Sequence, residues 1–337
     1  MTARSRSAWV VLAALPLLLI AGCASGDRLP SAVQGSPPPT TVAPAPQKFT
    51  CPAAEVETDG STPKTYEPDG PLPSPGNLPA GSTMAEIRDR GALRIGVSAD
   101  TLLFGARNPL SGEIEGFDID MLKEVAKAIF GVGDDDAAYD LLDFVVIPYS
   151  QRIPQLRSGG VDIVSHTMTI NCVRWQQIAF SSEYYKSGQR VLVEVTSPYT
   201  SIDDLDAAGA TVCVPDGSTN QEKLADYPAI KAVAVADISD CLVALQAGEV
   251  QAITGDDTVL AGLGAQDPST AVVGASFTAE PYGLGMPAES VDFVKFVNAL
   301  LDEMRTDGRW QSIYDRWLLG TLGPQTPPSA RYGRLKP

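Results

Sequence analysis

A chain of 337 residues, 44% of them apolar, exceeds one ordinary domain and is ample for a packed core. Its 41 carboxylates outnumber 25 lysines and arginines, and the net charge of −16 argues against nucleic-acid binding and for a solvated protein outside the cytoplasm. A single histidine, His166, with no metal-ligand cluster and no phosphate-loop glycine pattern, gives no reason to expect a cofactor, a metal or a Ser-His or Cys-His pair.

Arg4 and Arg6 precede an apolar run over residues 9–20, and Ile20-Ala21-Gly22-Cys23 fits a lipobox. The run is too short for a comfortable membrane-spanning helix. Residues 1–22 are therefore expected to be a lipoprotein signal peptide. Cys23 becomes the lipidated N-terminus, anchored to the cell membrane on its oxidising, extracytoplasmic side. Residues 23–83 follow as a tether, whose many prolines with Gly and Ser between cannot build a core and predict an extended or disordered segment.

The globular part begins near Met84. Residues 85–90 read as a short helix closed by Gly91, and residues 93–97 as a strand. A loop holding Phe104, Arg107, Asn108 and Pro109 leads to a helix with Phe117, Met121, Leu122, Val125 and Ile129 on one face. Strands over 144–147 and 161–164, with a helix between, complete a pattern that demands parallel pairing and right-handed crossovers. Tyr184, Tyr185 and residues 189–195 read as a long strand leaving this lobe. A second lobe repeats the pattern, with strands at 210–214 and 233–235, and Glu280-Pro281-Tyr282-Gly283 begins the return crossing. Two amphipathic helices follow, and a tail from Pro324 is expected to be poorly ordered. The expected division is lobe 1 at 84–192 and 285–320, lobe 2 at 193–284, and a tail at 321–337. Two crossings imply a hinge and a cleft between two α/β lobes.

Two stretches echo each other. Leu156-Arg157-Ser158-Gly159-Gly160-Val161-Asp162-Ile163-Val164 runs on to Thr167, Thr169 and Arg174. Leu245-Gln246-Ala247-Gly248-Glu249-Val250-Gln251-Ala252-Ile253 runs on to Asp256 and Asp257. Each is a helix end feeding a short strand, and each delivers polar groups beyond that strand's carboxyl end, where open α/β sheets bind ligands. One unit offers a guanidinium and hydroxyls and the other a carboxylate, which together suit a zwitterion. Arg174 can pair with a planar carboxylate, or be a surface arginine. Asp256 can take an ammonium, with Asp257 as its rival. Gly217-Ser218-Thr219 at a helix start presents amides and hydroxyls to an anion, although Ser and Thr also cap helices routinely. Arg107 is either a second anion hook or a solvated loop charge.

From about Met84 to Leu319 the chain resembles the extracellular solute-binding proteins of family 3, which serve polar amino-acid ABC importers. It is most similar to actinobacterial lipoproteins that bind glutamine, glutamate or aspartate. The resemblance is carried by Gly116-Phe117-Asp118-Ile119-Asp120, the run from Thr167 to Arg174 followed by Phe180-Ser181, Asp240-Cys241-Leu242-Val243-Ala244-Leu245-Gln246, Gly255-Asp256-Asp257-Thr258 and Glu280-Pro281-Tyr282-Gly283.

The resemblance implies a two-lobed periplasmic-binding-protein fold of type II, with two open, mostly parallel sheets joined by two hinge crossings. It places a ligand α-carboxylate on Arg174, Thr169 and the backbone at Thr167, and the ammonium on Asp256. Ser218 and Thr219 support a carboxylate, and Arg107 stands where members preferring acidic side chains carry an arginine. Thr167 departs from the glycine, and Gly255 from the larger residue, that many members have. The resemblance also pairs Cys213 with Cys241, and Cys51 is then expected to join Cys172. The expected function is delivery of a polar amino acid to an ABC permease by a lipid-anchored monomer. Glutamate or aspartate comes first, then glutamine or asparagine. A sensor subunit signalling through a transmembrane partner is the alternative, and a dehydratase or lytic transglycosylase on the same fold is the outsider, without an acid-base residue in these motifs.

Overall fold

A computed structural model describes residues 62–335 of the chain. The expected signal peptide, the expected lipidation site Cys23, and Cys51 lie outside the described residues.

Helix α1 (Thr83–Arg90) starts under the hydroxyl of Ser82, which accepts from the Ala85 amide, and ends at Gly91 in the left-handed region. Strand β1 (Leu93–Val97) is followed by a small antiparallel sheet of β2 (Asp100–Thr101), β3 (Gly105–Arg107) and β4 (Ile114–Glu115). Helix α2 (Phe117–Phe130) buries Phe117, Met121, Leu122, Val125 and Ile129, the face that its spacing predicts. Then come α3 (Asp135–Tyr139), β5 (Leu142–Val146), α4 (Arg152–Arg157), β6 (Ile163–Val164), α5 (Cys172–Trp175) and β7 (Ala179–Phe180). Strand β1 pairs in parallel with β5 and β6, as alternating strands and helices require.

The chain leaves this lobe through β8 (Tyr185–Ser187) and enters the second with β9 (Gln189–Glu194). The expected long strand is thus two, and all of β9 pairs inside the second sheet, so the boundary expected between residues 192 and 193 falls within a strand of lobe 2. Lobe 2 continues with α6 (Ile202–Ala208), β10 (Thr211–Pro215), α7 (Thr219–Leu224), β11 (Lys231–Val235) and α8 (Ile238–Gln246). It closes with β12 (Ala252–Asp256), α9 (Asp257–Gln266) and β13 (Thr270–Val273), in the order β11-β10-β12-β9-β13. The return strand β14 (Glu280–Tyr282) runs antiparallel to β8, and β15 (Gly285–Met286) completes the first sheet, β5-β1-β6-β15-β7. Helices α10 (Val291–Asp307), α11 (Arg309–Trp317) and α12 (Leu319–Leu322) end the first lobe.

Crossing strands β8 and β14 are hydrogen-bonded to each other and rest on an aromatic cluster of lobe 1. Tyr185 stacks on Tyr282 and Tyr314, and the Trp310 indole donates to the Tyr184 carbonyl at 2.7 Å. Such pairs add about 0.5–1.5 kcal/mol each beyond area burial, which holds the hinge strands to that lobe. Lobe 2 has apolar clusters on both faces of its sheet, one around Leu192, Ile253 and Leu260, the other around Val193, Val212 and Leu205.

Two expectations at the ends of the domain fail. Residues 62–83 are not a loose tether: Tyr66 is buried against Trp175, and Asn298 donates to its carbonyl at 2.8 Å. The tail beyond Pro324 is not loose either. The Thr65 amide donates to the Arg331 carbonyl, the Arg334 amide to the Thr65 carbonyl, and Arg305 Nε to the Pro328 carbonyl. The two segments satisfy each other's backbone groups, a pairing that proline-rich composition does not reveal.

Candidate functional site

On the lobe 1 side the chain leaves β6 through Ser165 and turns at Thr167, whose φ of 42° lies in the left-handed region. That conformation is costly for a β-branched residue. The Thr167 amide, expected on a ligand carboxylate, instead donates to Asp118 Oδ2 at 3.0 Å, and Tyr184 donates its hydroxyl to Asp118 Oδ1 at 2.5 Å. Burial pushes the Asp118 carboxyl up to about 6. Thr169 forms a bridge with Tyr282 of β14, and its carbonyl accepts from Arg174 Nη1 at 2.8 Å. Arg174 is placed by α5, which begins where the Asn171 side chain accepts the Arg174 amide.

Arg152, the first residue of α4, faces the same region and was missed in the sequence. Its guanidinium lies over the Tyr149 ring at 4.7 Å and donates to the carbonyls of Tyr149 and His166, with a longer 3.4 Å contact to Gly217 in lobe 2. Arg152 is 2% exposed and Arg174 is 4% exposed. Neither forms an ion pair among the described residues. Burial and the neighbouring Arg174 charge push Arg152 down to about 9, and burial lowers Arg174 as well.

Lobe 2 contributes Asp256 at the end of β12, the position that the repeated unit predicts. Asn220 donates to its Oδ1 at 2.8 Å and Tyr282 to its Oδ2 at 2.6 Å. Burial, then the charge of Glu280, pushes Asp256 up to about 7. Its rival Asp257 accepts from Ser187 of β8 at 2.6 Å, so the two acids are told apart by their partners. Ser218 is the N-cap of α7: it accepts from the Gln221 amide and donates to the Pro215 carbonyl. The Gly217 amide goes to Gln221 Oε1, so much of the expected anion hook is used within its own turn. Thr219 does reach the cleft, with its hydroxyl 3.3 Å from that of Thr169.

Arg107 is not brought to these groups. It is exposed on β3 and its Nη1 donates to the Gly112 carbonyl at 2.6 Å, inside its own hairpin. His166 is buried and uncharged, pushed down to about 3 by burial and the Arg152 charge, with Nε2 3.1 Å from the Ile147 carbonyl. Cys213 and Cys241 are bonded, tying β10 to α8. Cys172 is also disulfide-bonded, and the expected partner Cys51 lies outside the described residues.

The lobes meet across the cleft. Asp100 Oδ2 accepts from the amide and hydroxyl of Ser239 on α8, at 3.1 and 3.0 Å. Gly217, at φ +72°, approaches so closely that a Cβ there would stand 2.7 Å from Ser150 Cα. Between these contacts lie two buried cations that form no ion pair among the described residues and a buried carboxylate raised towards neutrality. Such a site is chemically suited to a small ligand carrying carboxylates and an ammonium. Glu280, the other residue missed in the sequence, is buried beside them on β14. Arg152 was findable, since it lies just beyond the carboxyl end of β5.

Two open sheets joined by a paired hinge, with charged groups facing each other between them, define a two-lobed α/β periplasmic-binding-protein fold that captures a solute between its lobes. The chain belongs to the bacterial extracellular solute-binding proteins, family 3, whose model matches residues 93–320. It is 35% identical over 237 residues to the ABC transporter glutamine-binding protein GlnH of Bacillus subtilis, covering 70% of this chain and 84% of that one. It is 29% identical over 248 residues to the glutamate-binding protein GluB of Corynebacterium glutamicum, covering 71% and 82%. The solute receptor for L-cysteine of Neisseria gonorrhoeae superposes with a TM-score of 0.66 at 27% identity, covering 72% of this chain and 96% of that one.

Proposed function

We propose that the protein is an extracytoplasmic binding protein that closes on a dicarboxylic amino acid, glutamate or aspartate, and delivers it to an ABC importer. The observation carrying this reading is the pair of buried guanidinium groups without an ion-pair partner, Arg152 and Arg174, beside the buried carboxylates of Asp256 and Glu280, the latter already taken up by threonine hydroxyls. Any free amino acid needs one cation for its α-carboxylate and one anion for its ammonium, which Arg174 and Asp256 supply. Arg152 is then left for a side-chain carboxylate. Buried guanidinium groups without an ion-pair partner gain most from an anion, because charge-assisted bonds are about twice as strong as neutral ones. The relatives named above as glutamine- and glutamate-binding support this size and class of ligand.

In this reading residues 189–279 form lobe 2 and the chain acts as a monomer that binds its ligand without transforming it. Cys23 carries the lipid that keeps the protein at the membrane, so Cys23→Ala is expected to release it into the medium. A calorimetric screen of the twenty amino acids tests the ligand class. Glutamate or aspartate should bind most tightly, and preference for a cationic or apolar amino acid would overturn the reading.

A further inference from the structure

Glu280 lies on the return crossing strand, 3% exposed, and has no place in the ligand scheme given so far. Its Oε2 accepts from the hydroxyl of Thr169, in lobe 1, at 2.7 Å and from that of Thr219, in lobe 2, at 2.8 Å. Its Oε1 accepts from Thr278 at 2.7 Å. A hydroxyl has one proton and two lone pairs, whereas a carboxylate only accepts. The two threonine protons are therefore both spent on Glu280, whose contacts are far shorter than the 3.3 Å between the two hydroxyl oxygens. What remains is a pair of oxygens, one from each lobe, side by side and able only to accept. Two such oxygens repel unless an N–H donor lies between them.

We infer that Glu280 is a positioning residue that fixes the polarity of this wall, turning the Thr169 and Thr219 hydroxyls into a two-oxygen acceptor for the ligand ammonium. This rests on the amino-acid reading above and reverses the sequence expectation that both hydroxyls support a carboxylate. Chain neighbours of Thr219 and Glu280 hold Asp256. Asn220, which follows Thr219, donates to Asp256, and so does Tyr282, two residues beyond Glu280 on the same face of β14. Because its oxygens come from opposite lobes, the pair exists only when the cleft is closed. An ammonium therefore reports its presence to both lobes at once, and a ligand lacking it leaves the closed form with two facing lone-pair groups.

The test compares an amino acid with its desamino analogue: glutamate with glutarate, or aspartate with succinate, whichever amino acid binds better. Both hydroxyls donate to the one oxygen Oε2, so a glutamine would keep them with its carbonyl there, whereas Glu280→Leu removes the acceptor and frees both protons to point at the ligand. Affinity for the amino acid should fall roughly ten- to a hundredfold, as expected for lost hydrogen bonds to a charged group. Affinity for the diacid should stay the same or rise, so the ratio between them narrows, and Glu280→Asp should restore much of it. Equal losses for both ligands, or an unchanged ratio, would show a merely structural role and overturn the inference. If Glu280→Leu does not fold, Thr219→Val deletes one acceptor and must narrow the same ratio, failing which the inference is wrong. Wild type that binds no dicarboxylic amino acid overturns the proposed function and this inference with it. Wild type that binds one, with variants that keep the ratio, overturns this inference alone.

Discussion

At the scale of single residues, Asp256 sets the pH response of the cleft. Burial and the Glu280 charge raise its carboxyl to about 7, so an ammonium ligand arriving below that pH must displace a proton. Affinity should rise about tenfold per pH unit between pH 5 and 7 and then level off. Calorimetry at pH 6 in two buffers of different ionisation enthalpy counts the proton, and no release would contradict the assignment. The same shift has an opposite sign for the empty fold. Asp256, and Asp118 at about 6, hold protons in the folded state at pH values where the unfolded chain has lost them. The ligand-free protein should therefore lose stability as pH climbs from about 4 towards 7. Arg107, engaged in its own hairpin, makes a contrasting prediction: Arg107→Ala should leave the affinities for glutamate and glutamine both unchanged. A loss confined to glutamate would return that arginine to the site.

At the scale of elements, the disulfide and the helix it holds act together. Cys213 of β10 fixes Cys241 of α8, and the first turn of that helix receives Asp100 from the other lobe. Reducing this bond, or Cys241→Ser, should cost roughly 2–4 kcal/mol of lobe 2 stability, read as a lower denaturant midpoint. An unchanged midpoint would contradict it. The alternation of strands and helices was legible because apolar spacing declares itself within each segment, and the repeated unit placed Asp256 correctly at a strand end. The direction of loop side chains was not legible. Arg107, at the end of β3, and Arg152, at the start of α4, are both local polar positions, but only the tertiary structure turns one back on its own hairpin and buries the other against Tyr149. The break of one expected strand into β8 and β9 went unseen for the same reason, since it marks a change of sheet and not of local propensity. The docked ends escaped because their hydrogen bonds join residues at opposite ends of the domain.

At the scale of the whole molecule, binding and closure are one equilibrium, in which a ligand shared by both lobes favours the closed form by its differential affinity. Asp100 bears on that equilibrium through its contact with Ser239 of the other lobe. Removing its cap-like contact with Ser239 should destabilise the closed form by about 1 kcal/mol and weaken every ligand alike by about fivefold. Calorimetry with glutamate and glutamine on Asp100→Ala checks this, and unequal losses would contradict it. Titrating wild type and Arg152→Ala with glutamate and with glutamine shows whether the cleft reads a second carboxylate through Arg152. The variant is expected to lose roughly 2–5 kcal/mol of glutamate affinity and far less for glutamine. Equal losses for acid and amide, or a wild type that binds the amide more tightly, would contradict it.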